Sequence, residues 1–249
     1  MKLTDTKSKI EYELIDKAVF FRKHGILAFG DLHLGYEQML KEQGIMIPFN
    51  QLKQSTGDIM KIINSLKKKK LKINKIVILG DLKHHFNFKK EEKFEIRDFL
   101  RFIEDAVGKD NIILIKGNHE KIELDSREYK DYYIQDGIAF AHGDKIFQEI
   151  LDKKISLIVL GHLHTAVFLK ENSGVKKEKY KCFLAGKWKN KEVIILPSFF
   201  PMREGTWINE GGQDRENFSI IQKKNLHNFN IYITSKDKTY CFGKLKDLN

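Results

Sequence analysis

The sequence predicts an α/β fold, and three features carry that expectation. Short apolar runs such as Ile76-Val77-Ile78-Leu79 and Leu157-Ile158-Val159-Leu160 recur through the first two-thirds of the chain. Between them lie longer stretches whose apolar residues fall at helical spacing. The runs also end alike: five of them stop at clusters of Asp, Asn and His, four with a glycine just ahead of the first polar residue. Strands alternating with helices build a sheet with helices packed on it.

In chain order, Ala18 to Phe21 and Ile26 to Phe29 read as strands joined by a tight turn at His24-Gly25. Residues 50–70 read as a helix, with Leu52, Ile59, Ile63 and Leu66 on one face. Its lysine run, Lys67 to Lys70, fits a solvated helix end that complements the helix dipole. A strand at Ile76 to Leu79 is followed by a helix at about 91–106, with Phe94, Ile96, Phe99, Leu100 and Ile103 apolar. Strands follow at Ile112 to Ile115 and Ile138 to Ala141, then a short helix near 145–153 and a strand over Ile155 to Leu160. The last third changes character. Residues 166–170, 178–184, 191–196, 217–222 and 229–234 read as strands between polar turns. They form either a second sheet of the same domain or a small appended one.

A chain of 249 residues fits one large domain or two small ones. The N-terminus, MKLTDTKSKIEYEL, has no apolar core of the signal-peptide type. No apolar run approaches the ~20 residues of a membrane span. Cys182 and Cys241 form no C-x-x-C pair. A soluble, reduced, cytoplasmic protein is expected. The net charge of +11 permits binding to nucleic acid or another polyanion. Arginine is confined to Arg22, Arg97, Arg101, Arg127, Arg203 and Arg215, so lysine dominates. Such an excess also follows from genome composition or growth temperature. Charge alone leaves both readings open, because it does not say where the lysines lie.

The strand ends are more specific. They read Gly30-Asp31-Leu32-His33, Gly80-Asp81-Leu82-Lys83-His84-His85, Gly117-Asn118-His119-Glu120, His142-Gly143-Asp144 and Gly161-His162-Leu163-His164. All nine histidines except His24 and His227 lie there. In open α/β sheets ligands bind beyond the carboxyl ends of the strands. In extended backbone, residues i and i+2 point the same way, so Asp31 with His33, and His162 with His164, are expected to present paired donors. Asp31, His33, Asp81, Asn118, His142, His162 and His164 exceed what one ion takes and suit two ions sharing a carboxylate. Imidazole with oxygen donors favours Mn, Fe, Zn, Ni or Co over Ca or Mg. Two such ions about 3.5–4 Å apart form a clamp for in-line displacement at phosphorus. The pattern implies metal-assisted phosphoester hydrolysis.

In that order, D-L-H, G-D-L-K-H, G-N-H-E, H-G-D and G-H-L-H resemble the calcineurin-like metallophosphoesterase superfamily, and within it the SbcD-related archaeal phosphoesterases. The motifs span Asp31 to His164. The resemblance implies one ion on Asp31, His33, Asp81 and His164, and a second on Asp81, Asn118, His142 and His162. Asp81 would bridge them, with a bridging hydroxide as nucleophile and manganese as the first choice of metal. His119 matches the family's catalytic histidine, and His84 a substrate-facing histidine of the repair-nuclease branch. Two positions depart from the family: Glu120 stands where Asp is usual, and Lys83 where an aromatic or apolar residue is common. Lys83 reads as a phosphate contact or an exposed loop lysine, and His85 as a neighbour without a role.

The implied fold is a four-layer α/β/β/α sandwich of two mixed sheets flanked by helices, one domain over 1–249. Its motif-bearing part covers about 18–165, and about 166–249 completes the second sheet. Leu196-Pro197-Ser198-Phe199-Phe200-Pro201 resembles the stretch that follows this sheet in relatives, and its aromatics, with Trp207, read as core or site rim rather than a base-stacking platform. The substrate is a phosphodiester, DNA or RNA among the candidates. Two alternatives remain: a phosphodiesterase or phosphomonoesterase for small nucleotides, and a silent scaffold. Intact ligand positions and His119 argue against the scaffold.

Overall fold

The computed structural model describes residues 3–4, 10–85, 90–119, 127–170, 177–202, 204–209, 219–235 and 238–248. The chain opens with strands β1 (Leu3–Thr4), β2 (Glu11–Ile15), β3 (Ala18–Phe21) and β4 (Ile26–Phe29). Helices α1 (Tyr36–Glu42) and α2 (Gln51–Lys68) lead to β5 (Lys75–Leu79), and α3 (Lys90–Val107) to β6 (Ile112–Ile115) and β7 (Tyr129–Lys130). These seven strands form one sheet in sequence order, antiparallel up to β4 and parallel from β4 to β7. Strands β8 (Tyr132–Gln135), β9 (Ile138–Ala141) and β10 (Leu157–Leu160) start the second sheet. Next come β11 (Thr165–Lys170), β12 (Lys177–Lys181), β13 (Phe183–Trp188), β14 (Lys191–Ile195) and β15 (Thr206–Trp207), then α4 (Lys223–Leu226), β16 (Asn230–Ser235) and β17 (Lys238–Lys244). The second sheet runs β17-β16-β13-β14-β10-β9-β8, with β10 parallel to both neighbours.

The apolar runs explain the layers. Strands β4, β9 and β10 are buried along their whole length, as expected of parallel strands covered on both faces. Val19, Phe21, Val77 and Leu79 of the first sheet pack directly on Phe140, Val159 and Ile194 of the second. Phe21 and Phe140 meet edge to face at 5.6 Å, the arrangement aromatic quadrupoles prefer. On the outer face of the first sheet, α2 contributes Ile59, Ile62, Ile63 and Leu66, and α3 contributes Ile96, Phe99, Leu100 and Ile103. Asn50 caps α2 by accepting from the Lys53 N–H at 2.7 Å. Lys67 and Lys68 close that helix, where positive charge suits the carbonyl end of its dipole. The second sheet's outer face is covered by the 3-10 turn Gln148–Leu151, by α4 and by the small sheet of β11, β12 and β15. No helix among the described residues is long and apolar enough to cross a membrane.

Several sequence expectations need correction. The strand expected over 178–184 is broken at Cys182, and its halves, β12 and β13, belong to different sheets. The last third therefore supplies a separate three-stranded sheet as well as completing the second one. The strand expected over 217–222 is not formed by its described part, where a bend at 219–221 runs into α4; residues 217 and 218 lie outside the described residues. The helix near 145–153 is one 3-10 turn. Phe94, assigned to the buried face of α3, is 54% exposed.

Candidate metal centre

The five strand ends converge at the crevice between the two sheets. The first three motifs follow β4, β5 and β6; the last two follow β9 and β10. The 196–200 segment ties the sheets together there. Leu196 N–H bonds Leu160 O of the second sheet, while the N–H groups of Phe199 and Phe200 bond Gly30 O and Asp31 O of the first. Phe199 anchors the segment by packing on Phe29 at 5.2 Å, fully buried; truncating such a phenylalanine costs roughly 3–5 kcal/mol.

Side chains from separate turns meet in three overlapping groups, one of them His33, His84 and His119. The ligating atoms of Asp31, His33, Asp81 and His164 lie within 4.8 Å of one another, as do those of Asp81, His142 and His162. Asp81 belongs to both. Its Oδ2 stands 3.6 Å from His33 Nε2, 3.5 Å from His142 Nε2 and 4.0 Å from His119 Nε2. Its Oδ1 accepts from the His119 N–H at 3.1 Å. Asn118 Oδ1 joins the second group, 3.1 Å from His142 Nε2.

The backbone reaches this geometry by a different route from the extended one expected. Asp31, His33, Asp81, His162 and His164 all have φ between 47° and 68°. Left-handed backbone costs a residue with a Cβ roughly 1–2 kcal/mol, and such strain concentrates at functional sites. The paired donors thus converge through strained turns rather than through strand alternation. Of the preceding glycines, Gly80 supplies a positive φ of 77°, and a Cβ there would stand 2.5 Å from His142 Nδ1. Gly161 serves close approach instead, since its Cβ would lie 2.9 Å from Asp31 Oδ2.

The hydrogen bonding leaves too many acceptors facing one another. His142 Nδ1 donates to Leu79 O at 2.8 Å, which aims Nε2 at Asn118 Oδ1 and the Asp81 carboxylate. His33 Nε2 and His164 Nε2 meet at 3.2 Å. Asp31 Oδ2 accepts from the His162 N–H at 2.9 Å, whereas its Oδ1, buried, has no hydrogen-bond partner. Burial opposes charge on His142, yet Asp81, Asp31 and the Leu79 carbonyl push its pKa up to about 9. Burial alone would protonate Asp31, but His164, His142 and His162 hold it below the usual carboxylate range. Converging acceptors in a negative field are the donor set a divalent cation satisfies. The residues present fit such an ion.

Above this floor lies a cavity of about 310 Å³ bordered by His84, His119, Leu163, Phe200 and Thr206. Among the described residues, no lysine or arginine lines it. His119 Nδ1 donates to His84 O. Burial lowers the His119 pKa, with His142 and Lys83 adding to the effect against the bond to His84. Glu120, which stands where the family usually has Asp, lies outside the described residues. Burial drives His33 well down, reinforced by His164 and His119. Lys83 is neither an exposed loop lysine nor a cavity residue: it is 1% exposed and donates to His85 O. His85 does not border the cavity and bonds Glu92 through its N–H.

Sequence reasoning missed the groups that hold these turns. Glu92 of α3 is fully buried, and its Oε1 accepts from the N–H groups of His84 and His85 at 3.0 and 2.9 Å. Gln51, at the start of α2, donates to Leu32 O and His33 O at 2.9 and 2.8 Å. Tyr36 packs 4.9 Å from both the His84 and Phe200 rings. Only the capping position of Gln51 next to Asn50 gave any local hint. The other partners lie across the fold.

The profile of the calcineurin-like phosphoesterase family matches residues 24–215. A search of curated proteins finds no match. Among solved structures, the chain is similar to the Pseudomonas putida nuclease MPE at 14% identity and a TM-score of 0.58, over 97% of this chain and 100% of that one. A protein of unknown function from Aquifex aeolicus is 25% identical, with a TM-score of 0.33 over 55% of this chain and 77% of that one. An uncharacterised protein from Streptococcus pneumoniae is 14% identical, with a TM-score of 0.31 over 87% of this chain and 96% of that one. At these identities the first likeness shows the sandwich fold alone. Motifs, cavity and profile agree: the chain belongs to the calcineurin-like phosphoesterase family and is a metal-dependent phosphoester hydrolase.

Proposed function

We propose that the two groups meeting at Asp81 hold two divalent transition-metal ions, manganese first among them, and that the protein hydrolyses phosphodiester bonds in nucleic acid. Asp31, His33, Asp81 and His164 would hold one ion; Asp81, Asn118, His142 and His162 would hold the other. The observation that carries this reading is the position of Asp81, common to both groups and ringed by three histidines. When bound, such a pair supplies an activated water and neutralises the phosphoryl oxygens. The chain's own contribution is orientation and proton handling. The bond to His84 O fixes the His119 ring, so Nε2 is the atom that gives a proton to the leaving oxygen. His84 is assigned the substrate-facing wall. Residues 1–249 are read as one domain, because the site draws on both sheets.

With manganese supplied, the protein is expected to hydrolyse bis-p-nitrophenyl phosphate and single-stranded DNA or RNA. Absence of turnover with every divalent metal tested would sink the reading. A second reading, hydrolysis of small nucleotides, is favoured by one observation: the lack of lysine and arginine in the described cavity wall. Faster turnover of cyclic nucleotides or nucleotide monoesters than of oligonucleotides would select it.

A further inference from the structure

The small sheet carries an aromatic face beside the cavity that the fold does not need for its core. Strand β15 pairs with β11 so that Thr206 lies opposite Thr165 and Trp207 opposite Ala166. Strand β12 places Lys181 opposite Ala166 and Lys179 opposite Phe168. Side chains alternate faces along a strand, so Trp207, Ala166 and Lys181 form one row, with Phe168 and Lys179 in the next row on the same face. Phe168 and Trp207 pack at 4.6 Å. Lys179 Nζ stands 4.4 Å from the indole centroid and 5.5 Å from the Phe168 ring. Even so, Trp207 is 42% exposed, a rim position rather than a core one.

Two connections join this face to the cavity. Thr206, the neighbour of Trp207, borders the cavity, and its N–H bonds His164 O at 2.7 Å. At the other end of the row, Lys181 donates to Ser198 O at 3.0 Å and to Phe200 O, and Phe200 also borders the cavity. Trp207 directly follows cavity-lining Thr206 in β15, so the strand that carries the indole starts at the cavity edge. An exposed indole offers a base a flat apolar face, and Lys179, which pairs with Glu204, is held against both rings.

We infer that Phe168, Lys179 and Trp207 form a subsite that stacks the base flanking the scissile phosphate of single-stranded nucleic acid. This rests on the phosphodiesterase reading above. The chain has two tryptophans, and Trp188 is only 9% exposed, so fluorescence quenching reports chiefly on Trp207. In metal-free protein at low salt, oligothymidylate is expected to quench that fluorescence, with weaker binding of thymidine monophosphate and of duplex DNA. In the metal-loaded protein, Trp207→Leu is expected to raise the oligonucleotide KM about tenfold, leaving kcat and bis-p-nitrophenyl phosphate hydrolysis unchanged. Trp207→Phe, which keeps a stacking ring, is expected to restore the KM. Unquenched fluorescence, an unchanged KM in Trp207→Leu, or equal affinity for the mononucleotide would overturn the subsite. Wild-type protein inert toward bis-p-nitrophenyl phosphate would instead overturn the reading on which it rests.

Discussion

The floor and the rim of the cavity are built on opposite principles. The floor, from Asp31 to His164, gathers His, Asp and Asn side chains, five of them on left-handed backbone, with Gln51 and Glu92 holding the turns. The rim carries the rings of Phe200 and Trp207, one buried and the other 42% exposed, and neither has a positive φ. Strain and buried charge in the floor are tolerable only where a bound cation and a rigid surround compensate. The rim carries no such burden and can vary with substrate. Damage to the floor should therefore abolish chemistry, and damage to the rim should change only affinity.

The largest effect belongs to Asp81. Asp81→Ala is expected to remove hydrolysis of bis-p-nitrophenyl phosphate to background and to reduce bound metal, measured by mass spectrometry. His119→Ala is expected to lower kcat about 10²–10⁴-fold with metal content unchanged; full turnover in this variant would break the proton-donor role. Glu92→Leu strands two buried N–H groups and frees the turn that carries His84 O. Its kcat is expected to fall about ten- to hundredfold, metal content holding, whereas Glu92→Gln keeps an acceptor and most of the rate. A Glu92→Leu enzyme with normal kcat would show that the turn needs no such support.

The smallest effect concerns Lys181, between floor and rim. Burial, then repulsion from Lys17, lowers its pKa from 10.5 to about 7. The unfolded chain therefore binds more protons between those values, and this group makes stability rise with pH across that window. Lys181→Met is expected to flatten the rise in melting temperature from pH 7 to 10. An identical slope in both proteins would count against it.

How much of this was legible depends on locality. Strands β4, β5, β6, β9 and β10 are continuous apolar runs, so length and composition alone expose them. The edge strand β17, KTYCFGK, is largely exposed and has no such signature, and α1 lies behind a glycine with no capping side chain. The residues proposed as ligands were visible because each motif sits in one short stretch. The left-handed turns, and the reach of Glu92 and Gln51 across the fold, are set by tertiary packing that no local pattern encodes. Trp207 shows the limit in reverse. Its neighbourhood read as core or site rim, and only the two-residue register of β15 on a small outer sheet decides between them by leaving the indole exposed.

Titration of manganese into metal-free protein by calorimetry tests the shared carboxylate most directly. The account predicts about two ions per chain in the wild type and in His119→Ala, with both sites weakened together in Asp81→Ala. A single ion in the wild type, or two undiminished sites in Asp81→Ala, would contradict it.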